Sequence, residues 1–215
     1  MKKKKDRIEK NYLYSDFYIR RIHSLLGLVP IGIFLCFHLL LNSSAIIGVD
    51  AWATIIDGMR SVPFIILAEI FIIAIPILFH AIYGIYIVYL SDLKIFQYQY
   101  LKNWMFVLQR LTAIITTLFV IDHVLFVRIL SGTTMGVMTA MAHVVQTPIG
   151  FVLELIGVWS AVFHFTNGLF TFLITWGVLH GERIQNLASI LMMLLCGALC
   201  LLTLIILIRI AMMPI

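Results

Sequence analysis

Charge is what this sequence has least of. Asp, Glu, Lys and Arg supply 12% of its 215 residues and hydrophobic types 62%, whereas soluble domains run at about a quarter charged and about half apolar. So little polar surface cannot cover a water-facing globule, and the mean hydropathy of +1.07 excludes a cytosolic fold, a secreted disulfide scaffold and a nucleic-acid module. Cysteine is scarce too. Cys36, Cys196 and Cys200 all lie inside apolar runs, an odd set with no disulfide framework. No Cys-x-x-Cys-His is present, so any haem would be held by axial ligands alone. Long polar stretches are also missing. No segment outside the apolar runs is long enough to fold by itself, and water-soluble chemistry must come from partner chains.

What is present is apolar length. Residues 22–41, 63–90, 104–128, 149–178 and 188–212 form five runs, each at or above the roughly 20 residues a helix needs to cross hydrocarbon. The expected fold is an all-α membrane protein, with a basic tail over 1–21 and one five-helix transmembrane domain over 22–212. Lys2, Lys3, Lys4, Lys5, Arg7, Lys10, Arg20 and Arg21 precede the first run, and Lys94, Lys102 and Arg183 lie in the second and fourth connections. The other side has Arg60, Arg128 and Arg209. By the positive-inside rule the N-terminus is cytoplasmic and the C-terminus outside. The lysine run reads as an orientation signal that also touches anionic lipid, with no role toward nucleic acid. It is not read as a cleavable signal, because a full span follows it without a small-residue cleavage pattern.

Four histidines stand deep inside these runs, His38, His80, His123 and His164, with His23 at the edge of the first. Ionisable groups in a span are costly, and they usually face the bundle interior for a purpose. His38 lies four residues before Asn42 and His123 five before Arg128, while His80 lies 17 after Pro63 and His164 16 after Pro148. They form two depth classes about 12 residues, or ~18 Å of helix rise, apart. Each class takes one imidazole from each of two helices. Neutral imidazole is a common axial ligand of b-type haem, and iron closed by two protein ligands is suited to passing electrons. The pattern predicts a dihaem bundle of four helices, with His38 and His123 on an outer haem b and His80 and His164 on an inner one.

Neighbouring residues support that reading. Gly84 and Gly168 each follow a ligand by four residues, and Gly157, Ser160 and Thr171 share the face of His164, leaving a slot for a flat macrocycle. Gly27 lies 11 residues before His38 on the same face. Pro63, Glu69, His80 and Gly84 are echoed by Pro148, Glu154, His164 and Gly168, which suggests a duplicated hairpin that clamps each haem between halves. Haem propionates need donors, and Arg20, Arg21, Ser24 and Arg110 near the cytoplasmic ends are the candidates. Glu69, 11 residues before His80 and ~16 Å outward, reaches the depth of the outer haem and is the candidate for proton transfer to a quinone. Glu154 and Asp122 have weaker claims. His23, His143 and His180 are expected at interfaces. A transition-metal relay is the rival from another class, and it fits two tiers ~18 Å apart poorly.

The stretches "FYIRRIHSLLGLVPIGIFLCFHLL", "AEIFIIAIPILFHAIYGIYI", "YLKNWMFVLQR" and "GVWSAVFHFTNGLFTFLITWG" closely resemble the cytochrome b subunits that anchor succinate dehydrogenase, relatives of the dihaem anchors of quinol:fumarate reductases. The resemblance covers about residues 17–180 and includes all four histidines, with no likeness evident beyond residue 181. It implies a multi-pass subunit of the bacterial cytoplasmic membrane that holds two haems b. It also implies docking of a flavoprotein with FAD and an iron–sulfur protein on the cytoplasmic face, and electron exchange with menaquinone. Carried over position by position, it pairs His80 with His164 nearer the iron–sulfur subunit and His38 with His123 further out. Asp122 stands where relatives are expected to carry an apolar or aromatic residue. The cytochrome b of another respiratory complex is the runner-up reading.

Overall fold

The computed structural model describes residues 16–91 and 100–214, and every regular element among them is helical. The lysine-rich run at 2–10 and Lys94 lie outside the described residues. In chain order the helices are α1 (Asp16–Ile46), α2 (Val49–Arg60), α3 (Ile65–Tyr89), α4 (Leu101–Leu130), α5 (Thr134–Gln146), α6 (Pro148–Thr175) and α7 (Glu182–Ala211). Five of them, all but α2 and α5, are long and apolar enough to cross a membrane. The first span begins by Asp16, so the end of the expected tail is already helical.

Local chemistry sets the helix ends. Thr147 caps α6 by accepting from the Gly150 N–H at 3.1 Å, with Pro148 in the first position, where its missing N–H costs nothing. Gly177 and Gly181, with φ of 72° and 82°, adopt the left-handed turn that glycine tolerates best. They stop α6 and start α7 at Glu182, earlier than the apolar run suggests. Three spans contain π-helical turns: Gly27–Gly32 in α1, around Pro30, Glu69–Ala74 in α3 and Val124–Leu130 in α4. Such turns mark functional stretches of helices. Leu40, Leu118 and Leu194 stand about two-thirds exposed (64%, 65% and 65%), a surface that suits hydrocarbon and not water.

The connections read as loops in the sequence contain α2 and α5. Trp52 of α2, Met138, Met141 and Val145 of α5, and Ile206 and Ile210 of α7 share a buried apolar core, which closes one end of the bundle. The opposite end carries Arg20, Arg21, Lys102 and Arg183. We call these the capped end and the basic end. The chain repeats span, cap helix and span twice, as α1–α2–α3 and α4–α5–α6, which gives the echoed sequence pattern a structural counterpart. α7 packs along α6 and completes the bundle.

Candidate functional site

The helices border a half-open cavity of about 2520 Å³, lined by His23, His38, His80, His123 and His164 among many apolar side chains. Ordinary small-molecule pockets hold about 300–1,000 Å³, so this space accommodates more than one large ligand.

The four span histidines meet across it in two pairs. The rings of His38 and His123 are 6.0 Å apart between centres at an interplanar angle of 88°, near the capped end. Those of His80 and His164 are 6.2 Å apart at 84°, nearer the basic end. Two metal–imidazole bonds of about 2.0 Å each, added to the ring radius on either side, put ring centres roughly 6 Å apart. Each pair is thus spaced so that one metal could be held between its rings. Each takes one residue from α1 or α3 and one from α4 or α6, that is, one from each half.

Second contacts fix the basic-end pair. His80 Nδ1 lies 3.0 Å from the carbonyl of His23 and His164 Nδ1 3.1 Å from the carbonyl of Gln109. A ligand imidazole usually donates its other N–H in this way, which sets the tautomer and turns Nε2 toward the metal. Gln109 does more. Its Nε2 donates to the His164 carbonyl at 2.9 Å, and its Oε1 accepts from Asn167 Nδ2 at 2.8 Å. The capped-end pair is held differently. Asn42 donates to the His38 carbonyl at 2.8 Å and accepts at Oδ1 from the indole N–H of Trp52 at 3.1 Å, so the cap helix reaches His38 through one side chain. His123 Nδ1 is buried without a hydrogen-bond partner.

Glycine makes room for the rings, though not always beside the ligand that the sequence suggests. A β-carbon at Gly27 would strike the His80 imidazole, at Gly157 the Phe119 ring, at Gly84 it would stand 3.3 Å from His23 Nε2 and at Gly168 3.3 Å from Gln109 Nε2. Phe119 in turn lies against His123, with ring centres 5.4 Å apart.

The sequence profile of the Succinate dehydrogenase/Fumarate reductase transmembrane subunit family matches residues 89–206. The succinate dehydrogenase cytochrome b558 subunit of Bacillus subtilis (strain 168) is 42% identical over 185 residues, which cover 86% of this chain and 92% of that protein. The chain belongs to the succinate dehydrogenase and fumarate reductase transmembrane subunits. No solved structure matches it. The family match runs to residue 206, past residue 181 where the visible likeness stops, so α7 belongs to the family pattern as well.

The remaining candidate residues of this transmembrane subunit have varied surroundings. Arg20 pairs with Asp16 at 2.8 Å, and Asp16 also accepts from the Tyr83 hydroxyl at 3.0 Å. The Arg21 guanidinium lies over the rings of Phe17 and Trp176, 5.1 and 5.0 Å from their centres. Arg110 sits over Phe106 with its Nε buried and unpartnered. All three arginines and Ser24 line the cavity. Glu69 meets Arg128 through both carboxylate oxygens, with the shortest contact 2.7 Å. Beside this pair a small pocket of about 140 Å³ is lined also by Met59, Arg60 and Ile65. Glu154 is 6% exposed and lines the main cavity. Sequence reasoning missed the Arg128 partner and also the position of His23, expected at the membrane interface but turned into the bundle against His80.

Proposed function

We propose that this subunit is the membrane anchor and electron conduit of its complex and holds two bis-histidine haems b. His80 and His164 bind the inner haem, and His38 and His123 the outer one. The observation that carries the reading is the spacing of the two imidazole pairs, 6.2 and 6.0 Å between ring centres, together with the backbone carbonyls that turn His80 and His164 toward a metal. The N-terminus is cytoplasmic. A flavoprotein with FAD and an iron–sulfur protein dock at the basic end, and haems held by these two histidine pairs would supply the redox centres between succinate oxidation and menaquinone. The opposite direction supports fumarate reduction. Arg20, Arg21, Ser24 and Arg110 are the donors available to haem propionates. The subunit resides in the bacterial cytoplasmic membrane and does no dicarboxylate chemistry itself.

A transition-metal relay is disfavoured. The span histidines meet in two pairs, whereas sites for a bare transition metal commonly take three or four protein ligands. Family membership disfavours the cytochromes of hydrogenases and nitrate reductases. The reduced-minus-oxidised spectrum of the purified complex, with haem counted per chain, is the direct test. Two haems b per chain are expected, and a haem-free preparation sinks the proposal.

Quinone reduction needs protons as well as electrons, and the capped end provides two carboxyl groups for them. Glu69 is bonded to Arg128 beside a small pocket, and Glu154 is buried in the cavity wall. General acid–base groups contribute about 10²–10⁴-fold to proton-coupled steps. Glu69→Gln is therefore expected to slow quinone reduction at least about tenfold while both haem spectra persist. Turnover unchanged in Glu69→Gln but slowed in Glu154→Gln would move the role to α6.

A further inference from the structure

The fifth histidine of the cavity has a counterpart in the other half of the bundle. His23 lies 15 residues before His38, and Gln109 lies 14 before His123. Each offers its backbone carbonyl to the Nδ1 of the basic-end ligand in its own half, at 3.0 Å for His80 and 3.1 Å for His164. Each places its side chain against the glycine four residues beyond that ligand, since a β-carbon at Gly84 or Gly168 would stand 3.3 Å from His23 Nε2 or Gln109 Nε2. Two positions built alike in two halves, each bonded to a ligand, are not interfacial accidents.

Their side chains differ in one respect. The Gln109 amide is satisfied by the His164 carbonyl and Asn167. The His23 ring instead stacks face to face on His80, with centres 4.1 Å apart and planes 5° from parallel, while its Nε2 is buried with no hydrogen-bond partner. A buried polar nitrogen left unpaired is costly. Its position in the cavity wall, beside Ser24 and on the helix that carries Arg20 and Arg21, points to an acceptor inside the cavity.

We propose that His23 is a positioning residue for the inner haem site. Its carbonyl and ring hold the His80 imidazole in one orientation, and its Nε2–H donates to an anionic carboxylate of the bound macrocycle. This rests on the assignment of His80 and His164 as haem ligands. The chemistry gives a direction. Without the Nε2 donor the carboxylate's negative charge is less compensated, the ferric state gains relative to the ferrous, and the inner potential falls.

The experiment is a redox titration of both haems in the intact complex, with EPR to read the ligand-plane geometry, for His23→Phe, His23→Ala and His23→Gln. Phe keeps a ring on His80 and loses the donor, and Ala loses both. Gln is the residue that the other half uses. The expected result is a fall in the inner-haem potential in His23→Phe equivalent to about a tenfold change in the reduced-to-oxidised ratio, which is 59 mV for one electron. His23→Ala adds an altered inner EPR signal, His23→Gln stays close to wild type, and the outer haem is unmoved in all three. An inner potential unchanged in both His23→Phe and His23→Ala would overturn the proposal, as would equal shifts of both haems. Haem content separates this outcome from failure of the underlying reading. If His80→Leu retains both haems, the ligand assignment is wrong; if it loses one and the His23 variants do nothing, the assignment stands and His23 has no positioning role.

Discussion

Changing His80 or His164 to leucine is expected to leave one haem b per chain in place of two, with the inner haem absent, and to stop electron flow from succinate to quinone. Loss of an outer-shell partner alone typically costs about 10–100-fold in metal affinity or activity, and removing the ligand itself should exceed that. The paired geometry makes the result specific. His80 and His164 face each other at 6.2 Å between ring centres, so either variant should abolish the same spectral component. His38→Leu or His123→Leu should abolish the other, because those rings form the second pair. Succinate oxidation with a water-soluble artificial acceptor should continue in all four if the catalytic subunits remain docked. The measurements are haem content, the reduced-minus-oxidised spectrum and the two activities. Loss of a different component from each member of one pair would refute the pairing.

The second large effect is expected from a single methyl group. A β-carbon at Gly27 would lie 2.8 Å from His80 Nδ1 and closer still to Cε1, inside the distance that real packing allows. The imidazole cannot easily yield, since it is bonded to the His23 carbonyl and lies under the His23 ring. Overpacking of this kind costs about 1–3 kcal/mol, which corresponds to roughly 5- to 150-fold weaker retention of the inner haem. Gly27→Ala should therefore lower inner-haem occupancy and spare the outer haem, read from the spectrum during mild heating. Gly197→Ala on α7 is the matched control, because a β-carbon there meets nothing within 4 Å. It should be neutral or slightly stabilising, as alanine favours helix over glycine by about 1 kcal/mol. Equal haem loss in both variants would remove the steric argument.

Much of this architecture could be read from the chain before any coordinates. Apolar length gives the spans, because hydrocarbon thickness fixes how many residues a crossing requires. Counting residues from the helix ends sorts His38 with His123 and His80 with His164, because rise per residue is nearly constant. The less legible features all depend on contacts distant in sequence. Helices α2 and α5 are too short to register as spans, and they are defined by the core they share with Ile206 and Ile210. Arg128 looks like a charge that merely ends its apolar run until α3 brings Glu69 to it across 59 positions. His23 sits two residues from Arg21 and so reads as part of the headgroup region. Only the packing of α1 on α3 turns its ring toward His80.

The two carbonyl ties bear on how the molecule is put together. Each joins a histidine of the basic-end pair to the preceding span of its own half, α3 to α1 and α6 to α4. Each hairpin thus forms one jaw whose basic-end imidazole is tied within its own half. Under the proposed ligation, bonds to iron run from one jaw to the other at both levels. Because metal binding free energy is also folding free energy, closing the jaws and capturing the cofactor become a single event. Haem supply would then govern when this subunit is complete as well as whether it conducts.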